Sequence, residues 1–169
     1  MTRLVLVRHA KAEAPQPGLD DHDRALTLEG RTSAQALAEA LTDAGVEISL
    51  ALVSSANRTK QTWKLMAPAF PDAESVTVPE LYETHVGGLA NVLRGIDHDG
   101  TIAVIGHEPT ISASAAWFAA PGSETKALQR IAHGLPTGTA ALLDYDGLLS
   151  ELGQRTAVLT AICSSHAHF

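Results

Sequence analysis

Arginine and histidine side chains stand where three predicted strands end, and these two residue types bind anions and move protons. The apolar runs at residues 4–7, 48–53 and 101–105 are short and rich in Leu, Val and Ile, which is typical of buried strands. The side chains that follow these runs directly, or within one helical turn, are Arg8, His9, Arg58 and His107. Because the carboxyl ends of parallel strands meet at one edge of a sheet, we expect these four side chains to converge on one crevice.

The chemistry expected of that crevice is the binding of an anion. Guanidinium and imidazole groups crowded together repel one another unless a negative charge lies among them, and phosphate suits the two-pronged hydrogen bonding of arginine best. Arg24, which precedes the first predicted helix, can fold back to the same place and is a candidate substrate-binding residue. Taken singly, Arg58 is typical of a solvated helix and His107 of a strand end. Only their joint position favours a site.

The elements that must position these residues alternate between strand and helix. Further strands are predicted at 75–78, 139–143 and 155–162, with Asp146-Gly147 as a hairpin turn between the last two. Helices are predicted between Thr27 and Gly45 and over 57–67, 86–96 and 110–118, whereas the stretch from 119 to 138 is predicted as a loop. This order predicts one α/β domain over residues 1–169. It is a three-layer αβα sandwich with a mostly parallel central sheet and an antiparallel C-terminal strand pair, whose strand order stays open.

Composition limits the partners. A net charge of −7 over 169 residues argues against nucleic acid as the main partner. No apolar stretch approaches the roughly twenty residues of a membrane span, and the N-terminal apolar run is too short for a signal peptide. The predicted location is therefore the cytoplasm, with no membrane partner. Cys163 is the only cysteine, which excludes an intramolecular disulfide and a Cys-rich zinc site. No cofactor is predicted.

Four linked segments resemble the signature motifs of the histidine phosphatase (phosphoglycerate mutase-like) superfamily. The small size and the Asp-Arg-x-Leu-Thr segment look most like its SixA-type phosphohistidine phosphatases. In chain order the segments are Leu6-Val-Arg-His-Ala, Asp23-Arg-Ala-Leu-Thr-Leu-Glu-Gly, Ser54-Ser-Ala-Asn-Arg-Thr-Lys-Gln-Thr and Val104-Ile-Gly-His-Glu-Pro.

The resemblance implies a role for each residue at the sheet edge. His9 would be the nucleophile, Arg8, Arg58 and His107 would form the phosphate pocket, and Arg24 would match an additional arginine of the SixA-type group. A nucleophilic imidazole must be neutral, and neighbouring cations should lower the pKa of His9. A backbone carbonyl bound to its other nitrogen would fix the attacking tautomer. In-line attack would then give a phosphohistidine enzyme, from which water releases phosphate.

The general acid and the substrate stay open. Larger members of the superfamily carry an acidic proton donor before the third helix. Glu83 lies in that region, and an exposed loop carboxylate is an equally good interpretation of it. The expected substrate is phosphohistidine, with general small-molecule phosphomonoester hydrolysis as the alternative. The partner is accordingly a phosphorylated protein or a small phosphorylated metabolite.

Other functions fit the sequence less well. Metal-dependent hydrolysis lacks a His-Glu-x-x-His motif, because His107-Glu-Pro-Thr-Ile departs from it at the last position, and no metal ligands are predicted. A cysteine phosphatase needs an arginine shortly after its cysteine, and none follows Cys163. Little sequence is available for the insertions of a mutase. A non-catalytic phosphate-sensing module on the same fold is the alternative from another class. The histidines at 166 and 168 are predicted to lie in a tail.

Overall fold

Six strands form one sheet in the computed structural model, which describes residues 1–165. The strands are β1 (Thr2–Arg8), β2 (Ile48–Ser54), β3 (Glu74–Val78), β4 (Thr101–Gly106), β5 (Thr139–Tyr145) and β6 (Ala157–Ser164). The helices are α1 (Leu28–Asp43), α2 (Asn57–Met66), α3 (Val86–Arg94), α4 (Thr110–Phe118) and α5 (Thr125–Ala132). The strand order across the sheet is β3-β2-β4-β1-β5-β6.

The first four strands are parallel, and the sheet ends in an antiparallel pair. β4 lies between β1 and β2 and is parallel to both, and β3 extends the parallel set beyond β2. β5 is antiparallel to β1 and to β6. In this register Arg8 lies beside Gly106, and Val53 lies beside Ile105. The predicted fold class is confirmed, and the ends of β1, β4 and β2 are neighbours at one edge of the sheet.

Two hydrophobic cores, one on each face of the sheet, make this a three-layer structure. Side chains of a strand alternate between faces, so Leu4 and Leu6 join one core while Val5 and Val7 join the other. The first core packs against α3, α4 and α5, and the second packs against α1 and α2. The central strands are buried on both sides, as their continuous apolar sequences predict.

Helix α1 begins and ends where the sequence indicates. The Thr27 hydroxyl accepts a hydrogen bond from the backbone N–H of Gly30 at 2.9 Å, which satisfies one free donor of the first turn. Gly45 follows the C-terminal end with a φ of +77°, a conformation that a side chain disfavours. Thr27 thus places Arg24 just before the helix, on the loop that leads back to the sheet edge.

Two predictions about the C-terminal third were wrong. The stretch predicted as a loop contains α5, whose first turn is capped by the Glu124 carboxylate accepting from the Ala127 N–H at 2.7 Å. Asp146-Gly147 is not a tight hairpin turn, because an 11-residue connection, 146–156, joins β5 to β6. β6 begins at Ala157, since Arg155 has a φ of +59° that does not fit a strand.

Within residues 1–165, the helices are each too short or too polar to cross a membrane. The two histidines at 166 and 168, predicted as part of a tail, lie outside the described residues.

Candidate active site

His9 follows the last residue of β1, and hydrogen bonds of its backbone and of its ring hold it there. Its backbone N–H donates to the Gly106 carbonyl of β4 at 3.1 Å, and only 9% of the residue is exposed. The ring atom Nδ1 lies 2.7 Å from the carbonyl oxygen of Ala10. Because a carbonyl only accepts, Nδ1 carries the proton of the neutral ring and Nε2 keeps its lone pair. The expected carbonyl that fixes the attacking tautomer is therefore present, and it belongs to Ala10.

The His9 ring is neutral well below physiological pH. Burial, with the smaller effects of the charges of Arg58, Arg8 and Arg24, lowers its pKa from 6.5 to about 4, although the hydrogen bond to the Ala10 carbonyl raises it. The expected direction is confirmed, but the main cause is burial rather than the neighbouring cations. A neutral ring with a free Nε2 is a competent nucleophile.

His107 follows the end of β4 and lies beside His9, with ring centroids 5.4 Å apart. Its Nε2 is 2.7 Å from the hydroxyl oxygen of Ser54, the last residue of β2. Burial lowers the His107 pKa from 6.5 to about 3, and His9 and Arg58 contribute in the same direction. The three adjacent strand ends thus supply His9, His107 and the serine that orients His107, whose role the sequence did not reveal.

Arg58 is almost entirely buried on α2, with 6% of the residue exposed. The Thr62 hydroxyl, one turn further on, donates to the Arg58 carbonyl at 2.7 Å and accepts from the Ala10 N–H at 3.0 Å. This bridge fixes the first turns of α2 against the segment that carries the nucleophile. Arg58 therefore reaches the site from a rigid helix rather than from solvent.

Three nitrogens of the site are buried and make no hydrogen bond with any group in the described part of the chain. They are Nε of Arg8, Nε of Arg58 and Nδ1 of His107. Buried polar nitrogens that lack a partner are costly and rare in folded proteins. Each of the three belongs to a residue predicted to form the phosphate pocket, and phosphoryl oxygens are strong acceptors for such groups. The arrangement is therefore suited to an anion with several oxygens.

Arg24 reaches the same place through a carboxylate that the sequence analysis did not identify, that of Asp21. Arg24 Nε donates to Asp21 Oδ1 at 2.9 Å, and Arg58 NH2 donates to Asp21 Oδ2 at 3.0 Å. Hydrogen bonds from Tyr82, Arg24 and Arg58 hold the pKa of Asp21 far below its usual range, so it is ionised. The negative charge expected among the arginines is supplied in part by the protein itself. A signal was available, since Asp21 and Arg24 are three residues apart on one short turn.

The loop before α3 contributes Tyr82 to the site, and the exposed Glu83 follows it on the same loop. The Tyr82 hydroxyl donates to Asp21 Oδ2 at 2.6 Å, and its ring centroid is 5.7 Å from that of His107. Glu83 is exposed, and its carboxylate makes no hydrogen bond or ion pair with other described residues. Of the two neighbours, the structure brings the tyrosine to the site.

Comparison with known proteins agrees with this geometry. Residues 4–95, more than half of the chain, match the sequence profile of the histidine phosphatase superfamily (branch 1). The chain belongs to the histidine phosphatase superfamily. An uncharacterized protein of Mycobacterium tuberculosis (strain H37Rv) is 31% identical to this histidine phosphatase over 155 residues, which cover 90% of this chain and 96% of that relative.

Solved structures place this histidine phosphatase with the SixA type. A proposed phosphohistidine phosphatase SixA from Nakamurella multipartitia superposes with a TM-score of 0.81 at 29% identity, covering 95% of this chain and 94% of that one. A second proposed SixA, from Agrobacterium tumefaciens, gives 0.79 at 26% identity, covering 96% and 97%. The family and these neighbours support phosphatase activity.

Glu108 connects the site of this histidine phosphatase to the loop before β5. Its carboxylate accepts from the Ser112 N–H at 2.8 Å, the Ser112 hydroxyl at 2.6 Å and the Leu135 N–H at 3.1 Å. The Leu135 carbonyl in turn accepts from Arg8 NH1 at 2.7 Å. The backbone of one residue, Leu135, thus links Arg8 to the residue that follows His107. Sequence patterns do not reveal this link, because it joins separate loops.

Histidines and carboxylates elsewhere in the molecule do not form a metal site among residues 1–165, where no three His, Cys, Asp or Glu side chains are grouped to hold an ion. His98 bonds to Ser49, and His85 caps α3. These two histidines therefore serve local structure.

Proposed function

We propose that this histidine phosphatase hydrolyses phosphorylated substrates through a covalent phosphohistidine intermediate on His9, and that phosphohistidine is a substrate. The observation that carries the proposal is the 2.7 Å hydrogen bond from His9 Nδ1 to the Ala10 carbonyl. It leaves Nε2 as the free base of a buried, neutral ring that is surrounded by arginines. The SixA-type neighbours support the choice of phosphohistidine. The partner is accordingly a phosphorylated protein or a small phosphorylated metabolite.

The reaction proceeds in two displacements. The Nε2 lone pair of His9 attacks phosphorus, and the bond to the leaving atom breaks with its electron pair going to that atom. Arg8, Arg58 and His107 donate to the equatorial oxygens, where negative charge is spread in the transition state. A water molecule then attacks the phosphohistidine, phosphate departs, and the lone pair returns to Nε2. The guanidinium groups supply the positive charge, and the proposal requires no metal ion.

The range of leaving groups that the enzyme can expel depends on whether the site can supply a proton. A positioned general acid is worth roughly a hundredfold to ten-thousandfold for a poor leaving group. Glu83 is exposed and Asp21 is ionised, so we assign the role of that acid to neither of them. A phosphoramidate protonated on its far ring nitrogen leaves as neutral imidazole, and an aryl phosphate leaves as a stable phenolate. We therefore propose a preference for these two classes over alkyl phosphates.

The test is replacement of His9 together with trapping of the intermediate. His9→Ala should abolish turnover, and brief mixing of the wild type with substrate should place an acid-labile phosphoryl group on His9, found by mass spectrometry at neutral pH. His133→Ala is a matched control, because His133 is exposed at the end of α5. Substantial turnover by His9→Ala would refute the assignment of the nucleophile.

The proposal also covers the domain organisation and the location of the protein. Residues 1–169 form one domain, and in its support helices from the described part of the chain cover both faces of a single sheet. The location is the cytoplasm, which is supported by a sequence without an apolar run of the length of a membrane span.

A further inference from the structure

We infer that Tyr82 forms the wall of a leaving-group subsite that takes a planar aromatic ring, such as the imidazole of phosphohistidine or a phenol. The inference rests on the proposed function and deepens it, since it assigns a residue to the part of the substrate that departs. Tyr82 lies in a row of four rings that ends at His9, and its own contacts hold it in place.

A row of rings runs from the surface to the nucleophile. The ring centroids of His22 and Tyr82 are 4.6 Å apart, those of Tyr82 and His107 are 5.7 Å apart, and those of His107 and His9 are 5.4 Å apart. The outermost side chain, His22, is 41% exposed, whereas His9 is buried. For a substrate whose phosphoryl group lies against His9 and His107, we place the leaving group beside Tyr82, the next ring outward in this row. Aromatic rings favour edge-to-face and offset contacts at these distances.

Tyr82 is held in place before any substrate arrives. Its hydroxyl donates to Asp21 Oδ2 at 2.6 Å, and the guanidinium carbon of Arg58 lies 5.9 Å from its ring centroid. His22 is itself fixed by a 2.8 Å hydrogen bond between Nε2 and the Ser55 hydroxyl. The ring of Tyr82 remains partly exposed. An aromatic side chain that is already ordered binds a second ring at little entropic cost.

A subsite for an aromatic leaving group agrees with the chemistry of the step. The His9 Nε2–phosphorus bond forms as the bond from phosphorus to the leaving nitrogen or oxygen breaks, and that atom keeps the electron pair. An imidazole that already carries a proton on its far nitrogen departs neutral, and a phenol departs as phenolate. Neither needs a proton from the enzyme, which suits a site where Asp21, the carboxylate bonded to Tyr82, is ionised.

The test compares three substrates that all carry good leaving groups. Phosphoimidazole and an aryl phosphate have an aromatic ring, whereas acetyl phosphate has none. Tyr82→Leu should lower kcat/KM for both ring substrates, relative to acetyl phosphate, by roughly threefold to tenfold, the range expected for one aromatic pair. Tyr82→Phe keeps the ring and should keep most of that preference. Asp20→Asn is the control, because Asp20 is exposed beside Asp21 and its side chain caps nothing.

Binding of inert analogues provides a second measurement that does not depend on turnover. The wild type should bind phenylphosphonate more tightly than methylphosphonate, and Tyr82→Leu should remove most of that difference. An unchanged ratio in both measurements, or an equal loss on all three substrates, would show that Tyr82 only supports Arg58 and His107 and would overturn the inference. Failure of the proposed function looks different, because the wild type would then form no phosphoryl group on His9 from any of the three substrates.

Discussion

Replacing His9 with a group that does not titrate should remove part of the acid sensitivity of the fold. The His9 pKa is about 4 in the folded protein, against 6.5 for an ordinary imidazole. Between these values the unfolded chain binds a proton that the folded chain does not, so stability is full above pH 6.5 and is lost as the pH falls towards 4. One pKa unit corresponds to about 1.4 kcal/mol, so lowering the pH to about 4.5 should cost about 2–3 kcal/mol through His9 alone.

The measurement is urea denaturation of the wild type and of His9→Asn at about pH 7.5 and about pH 4.5. Asparagine keeps an N–H that can donate to the Ala10 carbonyl but carries no titratable group. The wild type should lose about 1–3 kcal/mol more than the variant between the two pH values. NMR titration of the His9 ring protons should give a pKa near 4. Equal losses in the two proteins would mean that His9 is not held neutral by the fold, and the argument for a free Nε2 would fail with it.

Three further predictions concern the charged groups around the site. Arg58→Ala should lower kcat by about a hundredfold to a thousandfold and Arg24→Ala by less, because Arg58 is fixed on a helix while Arg24 lies on a loop. Equal or reversed losses would contradict this placement. Glu108→Gln should raise the inhibition constant of vanadate by roughly threefold to tenfold with little change in melting temperature, because the backbone N–H and carbonyl of Leu135 link Glu108 to Arg8. A double-mutant cycle with Arg8→Lys checks the link, and additive effects would refute it. Activity should survive exhaustive chelation, and loss that added divalent ion restores would refute a metal-free reaction.

The residues that could be predicted from the sequence are those at the ends of buried strands. His9 and His107 each follow a continuous apolar run. Arg58 lies in the first turn of α2, the helix that follows a third such run at 48–53. Because these strands are parallel and adjacent, their ends meet, and the inference requires only the strand assignments. The strand order itself is decided by packing of both sheet faces and has no local signal.

Residues that reach the site from loops could not be predicted in the same way. Tyr82 and Asp21 are 61 residues apart and meet through a side-chain hydrogen bond. The backbone N–H of Leu135 donates to Glu108, and a backbone donor of this kind cannot be recognised from the type of residue that carries it. Helix α5 was missed for a related reason, since it is short and is held by burying Ala127 and Ile131 in the first core rather than by a strong local pattern.

Asp21 explains how three guanidinium groups coexist at one sheet edge and why the site suits a phosphoryl group. Both imidazoles are neutral, because the pKa of His9 is about 4 and that of His107 is about 3. Arg8, Arg24 and Arg58 carry three positive charges, and Asp21 carries one negative charge through its ion pairs with the last two. The net charge of two is balanced by a dianionic phosphoryl group. Without Asp21 the same arginines would repel one another more strongly in the free enzyme, and a dianion would leave one charge uncompensated in a partly buried crevice.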